Sequence, residues 1–403
     1  MLEQRFESLK DSMVGGANNL LDFWEKYDLE PEGNAFYGVV DANLKQQVDG
    51  KKLLVLGSRL VWTFSAAYRV LGNEKYKALA KKAYDYFLTY YIDKDFGGAY
   101  WELNADGSVN DSKKRTYGEA FAIYGLSEYY RVFGDQKALD AAISIYQCLE
   151  KYVYDTENKG YFEILERGWK YDAVGQGSKI NPHEAACKTM NTHLHLLEAY
   201  TSLYRVWKDD GLKNKLREHI DVMIDKIIDH NIWHYKMFFD RSWNSIIPNV
   251  SYGHDIEGSW LILEAAEVLG DKEVLEYVEP ISKKMAEAVF SEGWHRKGGI
   301  VTELDSNGPS ERRTWWEQAE GIVGFFNAWE LTGEDKYLGG VDKILSLIDM
   351  EFVDHVHGGW YANPISDKSN TDRVDGWICP YHNTRMYLEI IERIRKIEKT
   401  QIL

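Results

Sequence analysis

A punctuation mark recurs along this chain at a near-constant spacing, and it restricts the fold more than any single residue does. Apolar helical stretches end in a glycine followed by a charged turn at Leu71-Gly72-Asn73-Glu74-Lys75, Phe133-Gly134-Asp135-Gln136-Lys137, Leu269-Gly270-Asp271-Lys272 and Thr332-Gly333-Glu334-Asp335-Lys336. These glycines lie 62, 136 and 63 residues apart, and the middle gap holds a degenerate copy, Trp207-Lys208-Asp209-Asp210-Gly211. Each mark reads as a helix C-cap glycine. A second marker, glycine beside aromatics, falls at Gly33, Gly98, Gly160, His234, Gly299 and Gly359, with steps of 65, 62, 74, 65 and 60, and reads as short hairpins. Six units in 403 residues make about 67 each. Six helical hairpins of that size fit one closed ring of alternating inner and outer helices, so the expected fold is all-α, a single (α/α)6 barrel over residues 1–403.

Local pattern agrees with that ring. Ile256, Trp260 and Leu263 follow helical spacing, with Leu261 and Ala265 on another side, and a helix apolar nearly all round belongs inside. The stretch 74–87 carries mixed charge on one side and reads as an outer, solvated helix. Seven prolines suit long helices. The one long step places an insertion at 166–187, polar and glycine-bearing, expected as a loop in the position of a lid at the barrel mouth.

Several function classes fall away. A net charge of −16 argues against nucleic acid or an anionic membrane as partner. Apolar runs stay short of the roughly 18 residues of a membrane span. The charged start MLEQRFESLK lacks a signal-peptide pattern, and Cys148, Cys187 and Cys379 are too few for a disulfide framework, so a cytoplasmic protein is expected. Dinucleotide, P-loop and nucleophile-elbow motifs are missing, so no cofactor is expected. HExxH and Cys clusters are missing too, and His193 and His195, two apart, turn about 200° from each other and cannot chelate one ion; no metal is expected.

Chemistry by histidine alone remains, since imidazole exchanges protons near neutral pH. His219, His230, His355 and His357 sit in charged or turn contexts and read as solvated. Others fall at the repeat period. Arg59, Tyr117, Asn191 with His195, His254 with Glu257, Trp316 with Glu320, and His382 occupy six successive units. Six inner helices would each aim a polar or aromatic group at one axis.

Five strings around these positions, 58–66 (SRLVWTFSA), 190–195 (MNTHLH), 251–257 (SYGHDIE), 315–320 (WWEQAE) and 379–383 (CPYHN), span the chain in order. Through them it resembles the N-acylglucosamine 2-epimerase superfamily, most closely its cellobiose 2-epimerase branch. The resemblance implies an (α/α)6 barrel and a cofactor-independent isomerase acting at C2 of a reducing sugar. The opened ring presents an aldehyde, a base removes the C2 proton to form an enediolate, and a proton returns to the opposite face. In that pattern His254 and His382 match the acid/base pair. His195 matches a third histidine near the carbonyl, and Arg59 a cation for the developing oxyanion. Tyr117 and Asn191 would hold hydroxyls, Glu257 and Glu320 would tune their neighbours, and Trp316 and Trp377 would offer flat faces to the sugar.

Two segments depart from the pattern, the insertion at 166–187 and the stretch 359–364, which lacks a second aromatic. A disaccharide substrate of the cellobiose kind therefore stands beside free mannose and glucose, and beside aldose–ketose isomerisation. Glycoside hydrolysis would need two opposed carboxylates, whereas the axial positions carry mostly His and Arg. The expected partner is a small sugar with a free reducing end, handled by a monomer or weak homodimer.

Overall fold

The computed structural model describes residues 2–31, 35–171, 186–305, 308–367 and 371–401. Twelve α-helices carry the architecture among the described residues: α1 (Leu2–Tyr27), α2 (Leu54–Leu71), α3 (Glu74–Tyr86), α4 (Thr116–Phe133), α5 (Gln136–Cys148), α6 (Met190–Val206), α7 (Asp210–Val222), α8 (Tyr252–Leu269), α9 (Lys272–Glu292), α10 (Trp315–Thr332), α11 (Asp335–Glu351) and α12 (Tyr381–Gln401). The even-numbered helices form the inner ring. Each packs on the next, and α12 packs back on α2 to close the circle. The odd-numbered helices lie outside, each against an inner neighbour in sequence, while α1 covers α12.

Burial follows from this layering. Inner helix α8 buries residues on every side, from Tyr252 and Ile256 through Trp260 to Leu269. Outer helix α3 buries Tyr76, Leu79, Ala80, Ala83 and Tyr84, the i, i+3, i+4, i+7, i+8 stripe of a surface helix. The glycines 72, 134, 270 and 333 do cap inner helices in left-handed geometry, with φ between 67° and 73°. The degenerate copy does not. There α6 ends on Trp207 in extended conformation, and Gly211 lies within α7.

Among the described residues, six antiparallel bridges mark the places where the chain passes from an outer helix to the next inner one. They are Leu29–Phe36, Ile92–Ala99, Tyr154–Tyr161, Ile228–Tyr235, Trp294–Ile300 and Val353–Trp360. Gly160 shows why glycine is needed there. Its φ is +75°, and a Cβ would stand 2.4 Å from the Trp243 ring.

A further repeat ties these hairpins down. An acidic residue follows the first bridge residue in five of the six, as Glu30, Asp93, Asp155, Asp229 and Asp354, with His295 in the remaining one. Lys114 reaches Asp93 at 3.0 Å, Lys188 reaches Asp155 at 3.0 Å and Arg373 reaches Asp354 at 2.9 Å, all buried pairs. The fourth residue of four inner helices then accepts a hairpin N–H: Glu119 from Ala99, His193 from Tyr161, Asp255 from Tyr235 and Gln318 from Ile300. The hairpins at the mouth are thereby held by buried ion pairs and by side chains of the first helical turns that accept from hairpin backbone.

Most of the insertion expected at 166–187, residues 172–185, lies outside the described residues. Its first residues are anchored: Arg167 binds Asp93 through Nε at 2.9 Å, and the Trp169 indole N–H donates to Phe96 O at 2.8 Å. His219 overturns the expectation of a solvated side chain. It is 2% exposed, its Nε2 lies 2.7 Å from His193 O, and its ring stacks on His193, because α7 turns that face towards α6. No described helix is long and apolar enough to cross a membrane.

Candidate active site

All inner helices start at the same mouth, so residues in their first two turns converge. A cavity of about 180 Å³ there is lined by Arg59, Tyr117, Asn191, His195, His254, Glu257, Trp316, Trp377 and His382, together with Trp315. Glu320, the tenth residue singled out from the sequence, sits one layer deeper behind His382. His193, as its spacing from His195 requires, faces away towards Tyr161 and His219.

Three histidines share one design. The Nδ1 of His195 lies 2.9 Å from Glu198 Oε2, that of His382 lies 2.8 Å from Glu320 Oε1, and that of His254 lies 2.7 Å from Ser251 Oγ. In each case Nε2 has no hydrogen bond to the described residues. A carboxylate at Nδ1 holds a proton there, and burial with Arg59 and Arg385 disfavours a second one, so His382 presents an unprotonated Nε2. The serine hydroxyl can accept or donate, so His254 can present Nε2 in either form. The Trp316 ring lies 4.7 Å from the His254 ring and 5.5 Å from the His382 ring.

Beneath the histidines lies a charged layer. Arg385, 1% exposed, donates to Glu198 and Glu257 and reaches Glu320 at 2.6 Å. Tyr381 also donates to Glu198, and the Trp260 indole N–H donates to Glu320 Oε2 at 3.2 Å. Glu257, Glu320 and His382 bring ligand-type atoms within 4.8 Å of one another. The Arg385 guanidinium already sits among those carboxylates, which makes the cluster an ion-pair network. Arg59 is held above it by Tyr117 Oη at 3.1 Å and Cys379 Sγ at 3.4 Å, with its guanidinium 4.2 Å over the Phe121 ring.

The electrostatics follow from burial and this network. Burial and the nearby His195 lower the His254 pKa to about 3, and burial with Arg59 and Arg385 holds His382 well below the usual imidazole range. Burial pushes Glu198 up, but Arg385 and His195 outweigh it and hold Glu198 at about 2. Glu257 is raised to about 7, by burial and then by the adjacent Glu320. Asn191 Oδ1, Glu257 Oε2, Trp315 Nε1 and Arg59 Nε are buried polar atoms with no hydrogen-bond partner among the described residues. Unsatisfied groups of this kind gathered round one cavity suit a polyhydroxylated ligand. A direct check is ring-15N NMR at about pH 5.5, where an ordinary histidine is mostly charged. His254 and His382 should give neutral-tautomer signals, and charged signals would sink this electrostatic picture.

A second cavity of about 460 Å³ opens beside the first, sharing Tyr117, Asn191, His254 and Trp377 and adding Trp101, Arg115, Glu163 and Phe238. Trp377 stands 49% exposed at the boundary, its ring 5.8 Å from Tyr117 and 6.3 Å from Trp101.

Sequence reading missed Trp315, Glu198, Arg385 and Tyr381. A signal existed for two of them. Glu198 and Arg385 each lie three residues after a site histidine, the same i, i+3 step that relates His254 to Glu257, so extending every helix by one turn would have found them.

Fold and site together define an (α/α)6-barrel protein with a histidine-lined cavity at the N-terminal mouth of its inner helices. The N-acylglucosamine 2-epimerase (GlcNAc 2-epimerase) family matches residues 35–384, and the chain belongs to that family. It is 41% identical over 377 residues to cellobiose 2-epimerase of Bacteroides fragilis, covering 92% of this chain and 95% of that one. The solved structure of cellobiose 2-epimerase from Bacillus thermoamylovorans B4167 superposes with a TM-score of 0.88 at 36% identity, over 95% of this chain and all of that one. A D-mannose isomerase structure, at 18% identity and a TM-score of 0.82 over 95% and 97% of the two chains, shares the fold.

Proposed function

We propose that this chain is a sugar 2-epimerase that inverts C2 of the reducing-end residue of a disaccharide of the cellobiose kind, through an enediolate. The observation that carries this reading is the set of Nε2 atoms around one small cavity with no hydrogen bond to the described residues, His254 and His382 both lying beside the Trp316 ring. Inversion needs proton-handling groups on both faces of C2, and these two neutral imidazoles supply them. His382, with its Nδ1 proton held by Glu320, takes the C2 proton at Nε2 and becomes imidazolium. Once the enediolate has formed, His254, adaptable through Ser251, picks up a proton from solvent, delivers it to the opposite face and returns to neutral imidazole. His382 then releases its proton to solvent. Reversing the roles serves the other epimer. His195 and Arg59 stabilise the oxyanion that grows on the carbonyl, helped by six inner-helix N-termini aimed at the same space. Tyr117 and Asn191 bind hydroxyls, Trp316 and Trp377 pack on the sugar, and Glu257 and Glu320 orient the bases.

Support for the disaccharide comes from the second cavity and from the cellobiose 2-epimerases among the relatives. Residues 1–403 are proposed to work as one cytoplasmic catalytic domain, monomeric or weakly dimeric, without metal or cofactor. The test is proton NMR in D₂O with EDTA, run separately with cellobiose and mannose. C2-epimer signals carrying deuterium at C2, undiminished by EDTA and faster with cellobiose, are expected. A ketose as main initial product would replace epimerisation with isomerisation, and no exchange would remove the function. In Trp377→Ala, loss of a stacked indole worth about 1.4 kcal/mol should raise KM for cellobiose about tenfold and that for mannose less. Equal changes for both sugars would take Trp377 out of the second subsite.

A further inference from the structure

His254 has a single hydrogen bond of its own ring, to Ser251, so its aim depends on the first turn of α8. The next residue, Asp255, is fully buried and accepts from two directions: the Tyr235 N–H at Oδ1, 2.7 Å, and His234 Nδ1 at Oδ2, 2.8 Å. His234 is 1% exposed. Its Nε2 lies 3.3 Å from Glu292 Oε2 near the end of α9, and its ring stands edge-on to Tyr252 at 5.5 Å. Both ring nitrogens therefore face carboxylate oxygens, the environment of an imidazolium.

The other units treat this position differently. Glu119, His193 and Gln318 also accept a hairpin N–H there. Burial raises Glu119 to about 7 and holds His193 well below its usual range, while Gln318 carries no charge. Among these four anchors, the carboxylate–histidine pair is made by Asp255, the anchor that directly follows His254.

We infer that His234 is a positioning residue for the proposed reaction: by bridging Asp255 and Glu292 it locks the first turn of α8 and sets the direction of His254 Nε2. The inference rests on His254 being a proton carrier. The groups facing His234 are Asp255 and Tyr252 of α8 and Glu292 of α9, and Lys284 of α9 lies 4.1 Å over the neighbouring Trp233 ring. Burial lowers the His234 pKa, but Asp255 and Glu292 outweigh it and raise the value above the ordinary one. A raised histidine holds its bridge fully below the ordinary value of about 6.5 and loses it as pH rises through the folded-state value. One N–H then remains for Asp255, and a lone pair faces Glu292.

The experiment combines kcat and KM against pH on the whole chain, using the faster sugar, with ring-15N NMR of the sugar-free protein. Wild-type kcat should fall on an alkaline limb, and the His254 ring signals should shift at the same midpoint. His234→Gln keeps an amide N–H for Asp255 but no charge. Its kcat should drop on the order of 10-fold to 100-fold with KM unchanged, and the limb should vanish. Glu292→Gln removes one anion and should move the limb to lower pH. Wild-type kcat in His234→Gln, a limb that Glu292→Gln leaves in place, or His254 signals indifferent to His234 would each overturn the inference. Should His234→Gln fail to fold, Glu292→Gln decides, because Glu292 has a half-exposed side chain. NMR coupling of His234 to His254 without turnover of any sugar would instead overturn the proposed function and leave the positioning role standing.

Discussion

Turnover in the His382→Ala and His254→Ala proteins is expected to fall by at least 10²–10⁴-fold, the range for one proton-transfer residue. The fold should survive both changes. Each ring borders a cavity open to solvent, so truncation enlarges a wet space and creates no dry void. Glu320 keeps Arg385 and Trp260 after His382 is removed, and Ser251 loses only one hydroxyl contact. A two-base mechanism makes a sharper demand as well. A variant lacking one histidine should still exchange the C2 proton of one epimer with D₂O while failing to invert it. Deuterium wash-in measured from each epimer separately, with circular dichroism as the folding control, checks this. Near wild-type inversion in either variant would sink the two-histidine mechanism.

The largest stability change is expected at Arg385. Arg385→Met keeps much of the aliphatic bulk but removes the cation shared by Glu198, Glu257 and Glu320. Uncompensated buried charge costs about 3–5 kcal/mol, read as a shift in the urea unfolding free energy. The sign of its pH dependence follows from the carboxylates. Glu257 is already raised to about 7 with the arginine in place and Glu320 is raised by burial, while Glu198, held at about 2, loses the cation that most lowers it; all three values move up without Arg385. A carboxyl group whose folded value exceeds its unfolded one contributes stability below the unfolded value and loses it as pH rises through the folded value. The deficit of Arg385→Met should therefore be smaller at pH 5 than at pH 8. A deficit independent of pH would mean that packing against Trp260 and Tyr381, 4.9 and 4.5 Å from the guanidinium, outweighs the charge.

Much of the ring was legible beforehand because its signals are local. A glycine cap at 72, 134, 270 or 333 needs only its own φ, and an all-round apolar helix such as α8 must be covered whatever its neighbours are. Six such units of nearly equal length leave few ways to close. The site was legible one layer deep, since Arg59, Tyr117, Asn191, His195, His254, Glu257, Trp316, Trp377 and His382 do share a cavity. His219 was misread because its charged sequence context says nothing about which face α7 turns inward.

Chain periodicity alone thus dictates six helical hairpins and the phase at which polar side chains point to the axis, because both depend on residues a few positions apart. Ring closure decided the rest. It set His382 beside Glu320, 62 residues earlier, and placed Arg385 among carboxylates 65, 128 and 187 positions away. Those pairings fix which histidine nitrogens stay unprotonated and which carboxylates stay charged, and they arise only when α12 packs against α2 and shuts the charged layer away from water.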